Sequence, residues 1–372
     1  MNSRKRVGVF AAFFALAFFA LLSVPVGQAH EVYVLNATTI ASDLAVERVN
    51  VADALDSPGA QQTFIRSVIF GVLAAIIVSY LIHTKFSKHL DDRFQKLRPY
   101  AHLVIRIGLG ISFLWGAYHN SIFGPELPMT QLLGGMAWKP IMLVVGIMLI
   151  FGLMTRVAAF VGLLAFLTVA VNPGRFDAFY MMNYLNYLGE IVVLLLERGT
   201  KYSLDEYLKW PAHIFHHRLP HWIRTLERFG EQHSFLIIRV CFGIALIWAA
   251  ISIKILHPKL SLDVLTLYHL DEKVAFTTLF VVFAAGIIEI LLGLVLITGV
   301  MYRPGLFVTV FFIGYSVWFF GEEVWPHVIL VALAVGLFIH GKDKWCYEDK
   351  FYNTLWGWTK RFRKSTNALS PK

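Results

Sequence analysis

Two carboxylates lie where almost every neighbouring side chain is hydrocarbon. Glu190 is preceded at helical spacing by Asn183, Asn186 and Tyr187, so the four would form one polar stripe along a helix. Glu289 stands midway along another apolar run with no polar companion at that spacing. An ionisable group deep in lipid costs a few kcal/mol, and it persists there with a partner or with a task. The chemistry open to both is proton exchange, a general acid–base role in which Glu190 with Asn186 is the first pair and Glu289 the second. The other use of such a group is structural: a protonated Glu can hydrogen-bond between helices and lock them together.

Further polar residues gather near the ends of apolar runs. His119, Asn120, Glu126, Trp318, Glu322, Glu323 and His327 fall at one set of ends, as the mouth of a binding pocket, a docking surface or ordinary interfacial polarity would require. His30 follows Gly27-Gln28-Ala29, and cleavage after Ala29 would leave it with a free α-amine, a strong chelate for Cu(II). A copper site needs a further ligand. Segment 30–63 holds no other His, Cys or Met, which argues against resident copper.

These residues have to be positioned by membrane helices. The 372-residue chain is 57% hydrophobic and only 15% charged, with a mean hydropathy of +0.63, too apolar for a water-soluble domain of this size. After Arg4-Lys5-Arg6 an apolar run to Val24 and small residues at Gly27 and Ala29 read as a signal peptide over 1–29. Nine spans are expected, at about 64–82, 101–119, 139–154, 157–172, 180–197, 235–252, 274–298, 305–320 and 326–340. With residue 30 outside, the inner segments carry 21 Lys and Arg and the outer ones six, Lys254 among the six. That bias is the positive-inside pattern, with the C-terminus cytoplasmic. The pI near 9.4 then reports orientation and contact with anionic lipid rather than nucleic acid. Cys241 and Cys346 both fall at or inside the inner face, so no exported disulfide is expected. Motifs for covalent haem, a phosphate-binding Gly loop of a nicotinamide or flavin site, or zinc-protease chemistry are missing.

Parts of the sequence occur twice. Gly146-Ile-Met-Leu-Ile-Phe-Gly-Leu-Met-Thr-Arg156 returns as Gly293-Leu-Val-Leu-Ile-Thr-Gly-Val-Met-Tyr-Arg303. Arg106-Ile-Gly-Leu-Gly-Ile-Ser-Phe-Leu-Trp-Gly-Ala117 returns as Arg239-Val-Cys-Phe-Gly-Ile-Ala-Leu-Ile-Trp-Ala-Ala250. A duplication predicts two four-helix units, and because four is even both would point the same way across the membrane. The expected organisation is an extracytoplasmic segment 30–63, a first transmembrane helix 64–82, repeat 1 over 100–208, a cytoplasmic linker 209–234, repeat 2 over 235–350 and a basic tail 351–372. In the linker, Trp210, Phe215, Trp222 and Phe229 are candidate interfacial anchors.

The Arg near a helix start, the Gly-Ile-Ser-Phe-Leu-Trp run, the Thr155-Arg156 hairpin and the closing Tyr202-Ser203-Leu204-Asp205 together resemble the DoxX/DoxD family of four-helix membrane proteins. In the second copy the closing run is Lys344-Trp345-Cys346-Tyr347-Glu348, a departure from that pattern. The resemblance implies an all-α integral membrane fold of two parallel repeats plus one extra N-terminal transmembrane helix. It also implies association with quinone-linked oxidoreductases, such as thiosulfate:quinone oxidoreductase or quinol oxidases. Lys254 matches a family position after the Trp run that often carries Lys. The site expected from it joins proton-handling Glu190, Asn186 and Glu289 to a quinone pocket or its mouth at His119, Asn120, Tyr187, Lys254 and His327. A partner subunit would supply electrons. The rival expectation is a non-catalytic membrane scaffold or cargo-handling protein that recruits partners.

Overall fold

The computed structural model describes residues 93–171, 180–197, 201–208, 221–269, 278–320 and 324–348, with isolated positions between 59 and 73 and between 350 and 354. His30, Trp210, Phe215, Glu322, Glu323, the signal-peptide segment and most of the first expected span lie outside the described residues, as does the side chain of Trp222. Among the described residues the fold is all helical, with Ser121 and Pro128 making an isolated bridge and no strand.

The elements are α1 (Ala101–Tyr118), α2 (Trp138–Phe151), α3 (Thr155–Ala170), α4 (Leu185–Leu196), the short α5 (Leu204–Tyr207) and α6 (His221–Ala249). They continue with α7 (Pro258–Leu267), α8 (Thr278–Thr298), α9 (Tyr302–Phe320) and α10 (Val324–His340). Three helical stretches, Arg98–Tyr118, Arg224–Ile255 and Thr278–Thr298, are long and apolar enough to cross a membrane. Gly135–Phe151, Thr155–Ala170, Met181–Leu196 and Val324–His340 are shorter apolar helices. Large apolar side chains are exposed on the outer helices, among them Val144, Ile147 and Phe151 of α2, Phe160 and Leu167 of α3, and Phe307 and Phe311 of α9. Water would penalise such a surface, and lipid does not.

Two boundaries depart from expectation. Helix α6 starts at His221, fourteen residues before the expected span, because hydropathy locates only the part of a helix that is apolar all round. Its first turns are largely polar on the exposed side, where Arg224, Thr225, Arg228, Glu231 and Gln232 lie. At its far end α6 does not stop before Lys254 but continues as a π-helical turn, Ala250–Ile255, so Lys254 belongs to the helix rather than to an outer loop.

The helices pack as a closed ring. Helix α1 packs on α2, α2 on α3, α3 on α4, α4 on α6, α6 on α8, α8 on α9, α9 on α10, and α10 returns to α1. One apolar core runs through it, including Ile105, Leu109 and Phe113 of α1, Ile191 of α4, Phe242 of α6 and Leu333 and Leu337 of α10. Backbones touch at glycines. A Cβ on Gly110 would lie 2.8 Å from the Gly146 carbonyl oxygen, and one on Gly146 would lie 2.8 Å from that of Gly110. Gly243 and Gly293 repeat the arrangement between α6 and α8 at 2.6 Å in both directions. Small residues let membrane helices approach closely where apolar burial gives no net drive. Gly110→Val is therefore expected to cost about 1–3 kcal/mol by overpacking. Equilibrium unfolding in mixed detergent micelles checks this, with Gly314→Val, which has open space around it and ordinary helical backbone, as the control.

Candidate functional site

Both helical hairpins at one end of the bundle close in the same manner. Gly152 (φ +65°) and Met154 (φ +46°) turn α2 into α3, and Gly299 (φ +67°) and Met301 (φ +54°) turn α8 into α9. The glycines are required twice over, since a Cβ would also meet Arg106 Nη1 at 2.6 Å or Arg239 Nη1 at 2.4 Å. In the first hairpin the Asp205 carboxylate accepts from Met154 N at 2.7 Å, Thr155 N at 2.8 Å and Thr155 Oγ1 at 2.8 Å, so it caps α3 from a distant part of the chain. In the second, Glu348 accepts from Tyr302 N at 3.1 Å and pairs with Lys342 at 2.7 Å. Arg106 Nη2 donates to the Tyr202 carbonyl at 3.0 Å, and Arg239 Nη2 to that of Trp345 at 3.3 Å. Where the first closing run has Ser203, the second has Cys346, whose sulfur accepts from Arg239 Nη1 at 2.7 Å while burial pushes its thiol up from the ordinary value.

Above the first hairpin lies the polar stripe of α4. Glu190 is wholly buried, and Asn186 and Tyr187 are nearly so. Tyr187 donates its hydroxyl to the Phe123 carbonyl at 3.2 Å. Both carboxylate oxygens of Glu190 and Oδ1 of Asn186 have no hydrogen-bond partner among the described residues. The cation acting on Glu190 is Arg106 of α1, itself fully buried, and Glu197 acts on it with opposite sign. The Glu190 carboxyl thus lies fully enclosed, two turns from the helix end.

The second polar centre lies between α6 and α8. Lys254 Nζ approaches Glu289 Oε1 at 3.0 Å and Oε2 at 3.1 Å, and both side chains are largely buried. Glu289 is thus paired, which the lack of a polar companion at helical spacing did not foretell. Two features make room: the π turn, which shifts the register of Lys254, and Gly286, whose added Cβ would stand 3.3 Å from Lys254 Cβ.

The remaining candidates sit at the loop end, away from the hairpins. His119 caps α1 and stacks on Trp325 at 5.7 Å. Asn120, in the left-handed region at φ +58°, accepts from Lys139 Nζ at 2.7 Å. Tyr184 donates to Glu126, His327 is buried in the first turns of α10, and Trp318 is exposed on α9. The candidates therefore fall on three separate parts: the α1–α4 stripe, the α6–α8 ion pair and the loop end. Arg106, His102, Glu197 and His340 are absent from the expected set, although each is buried or half-buried near the hairpin end and charged or titratable. An Arg inside an apolar run was the available signal, since it demands a carboxylate nearby. No group of three or more His, Cys, Asp or Glu among the described residues is arranged to hold a metal ion.

Compared with family models, curated proteins and solved structures, the chain matches none.

Proposed function

We propose that this chain is a DoxX/DoxD-like membrane subunit of a quinone-linked oxidoreductase complex in a prokaryotic cytoplasmic membrane, of the thiosulfate:quinone oxidoreductase or quinol oxidase kind. In this reading it comprises two parallel four-helix repeats after one further transmembrane helix, with the hairpin end cytoplasmic. The recurrent hairpins, Arg106 and Arg239, and the paired glycine contacts support the duplication. The orphaned oxygens of fully buried Glu190 carry the functional reading.

A bound quinone would supply two-electron redox chemistry, and each of its oxygens needs a proton when it is reduced. The α4 stripe fits one end of such a group, since Glu190 and Asn186 keep buried polar atoms unengaged by the described residues. Glu190 holds or releases the proton, and Asn186 orients the oxygen that receives it. Tyr187 is held by Phe123, Lys254 by Glu289 and Asn120 by Lys139, so these shape the surroundings more than they offer new bonds. A partner subunit docked at the loop end would deliver electrons. Quinone-dependent turnover of the purified complex is expected to fall by about 10²–10⁴ in Glu190→Gln. Turnover equal to wild type would remove Glu190 from the reaction.

One observation favours the rival scaffold reading. The recurrent pairs Gly110/Gly243, Gly146/Gly293, Gly152/Gly299 and Met154/Met301 close turns or helix contacts, while the carboxylate centres at Glu190 and Glu289 differ between the two segments. Native purification with mass spectrometry separates the readings: co-isolated quinone or oxidoreductase subunits support the first, and their absence supports the second.

A further inference from the structure

The α4 stripe continues beyond Glu190. Glu197 lies seven residues on, two turns and about 10 Å along the axis, on the same face. Opposite it on α1 stand His102 and Arg106, one turn apart. His102 Nε2 approaches Glu197 Oε1 at 3.4 Å at the hairpin end, and Arg106 acts on Glu190 deeper in. Among the described residues both ends of this ladder leave polar atoms unmatched: Nδ1 of His102, Oδ1 of Asn186 and both oxygens of Glu190. Buried polar atoms in a packed interior are almost always satisfied, and where protein supplies no partner, water does. Toward the loop end the stripe is sealed by rings. Phe123 lies 5.0 Å from Tyr187 and 6.0 Å from Tyr184, and Phe113 lies 6.4 Å from Tyr187.

We infer that α1 and α4 enclose a one-sided, water-bridged proton path that opens at the hairpin end, with Glu197 and His102 as its gate and Glu190 as its terminus. A proton taken from bulk water by the His102–Glu197 pair passes through bridging water to the Glu190 carboxylate, and the gate is reprotonated from outside. The inference rests on the proton-handling role of Glu190.

Infrared spectroscopy of the full chain in lipid tests it without quinone or partner. The carboxylic C=O band lost in Glu190→Gln identifies that group, and its shift on transfer to D₂O times the exchange. Exchange is expected to be complete on mixing in wild type, about a hundredfold slower in Glu197→Gln and in His102→Gln, and restored in Glu197→Asp. Tyr184→Phe, at the sealed end, should exchange like wild type. If Glu197→Gln fails to accumulate, His102→Gln alone decides. Wild-type exchange in the folded gate variants, slow exchange in Tyr184→Phe instead, or no carboxylic band assignable to Glu190 would each overturn the path. Normal exchange in the gate variants, with turnover still lost in Glu190→Gln, would refute the path and leave the redox reading standing. Slowed exchange with unaffected turnover would do the reverse.

Discussion

Lys254→Met is expected to destabilise the bundle by about 3–5 kcal/mol, the cost of leaving one partner of a buried ion pair behind. In wild type the Glu289 carboxylate meets the ammonium with both oxygens at 3.0 and 3.1 Å. Without Lys254 the acid has to take up a proton or draw water between α6 and α8. Removing both charges, in Lys254→Met with Glu289→Leu, is expected to recover most of the loss, because two apolar side chains need no desolvated charge to be matched. Unfolding in mixed micelles measures both variants. A single variant as stable as wild type would show that the pair contributes nothing to the fold.

Asp205→Ala should cost about 2–4 kcal/mol, since one carboxylate serves two backbone N–H groups and a hydroxyl at the start of α3. Helix α3 has no cap from its own sequence: Met154 precedes it in the left-handed region and offers no side-chain acceptor. The equivalent change Glu348→Ala should cost less, because Glu348 accepts from one backbone N–H of α9 and its other link is to a half-exposed Lys342. Thermal unfolding followed by circular dichroism gives the order of the two. Equal losses, or a larger one at Glu348, would contradict the account of the caps.

The helices were legible because apolar runs of the right length leave few alternatives. Helix α1 starts at the expected Ala101 and ends within a residue of the expected boundary, and α10 ends at the expected His340. Legible too was the polar stripe of α4, since Asn186, Tyr187 and Glu190 declare themselves against hydrocarbon at helical spacing. The Lys254–Glu289 pair was not. It joins residues 35 apart on different helices, and it depends on a π turn that moves Lys254 out of the register an ordinary helix would give. Asp205 also read as part of a closing motif rather than as the cap of α3, because a cap supplied from 50 residues away leaves no local spacing to detect. Glu197 and His102 were not read as site residues, because titratable groups at helix ends usually face water.

The ring has two seams where residues 101–208 meet residues 221–348. Along one, Gly189 lies against Cys241 and Gly230 against Leu196, and along the other Gly108 meets Ala332 and Gly336 meets Ile105. The covalent chain passes across only the first of these. Fragments 101–208 and 221–348 expressed from separate messages would therefore carry complementary edges on both sides, and nothing in the packing obliges a fragment to choose its own sibling. A gene cut in two between them, or a pair of molecules trading fragments, would meet the same close-fitting grooves.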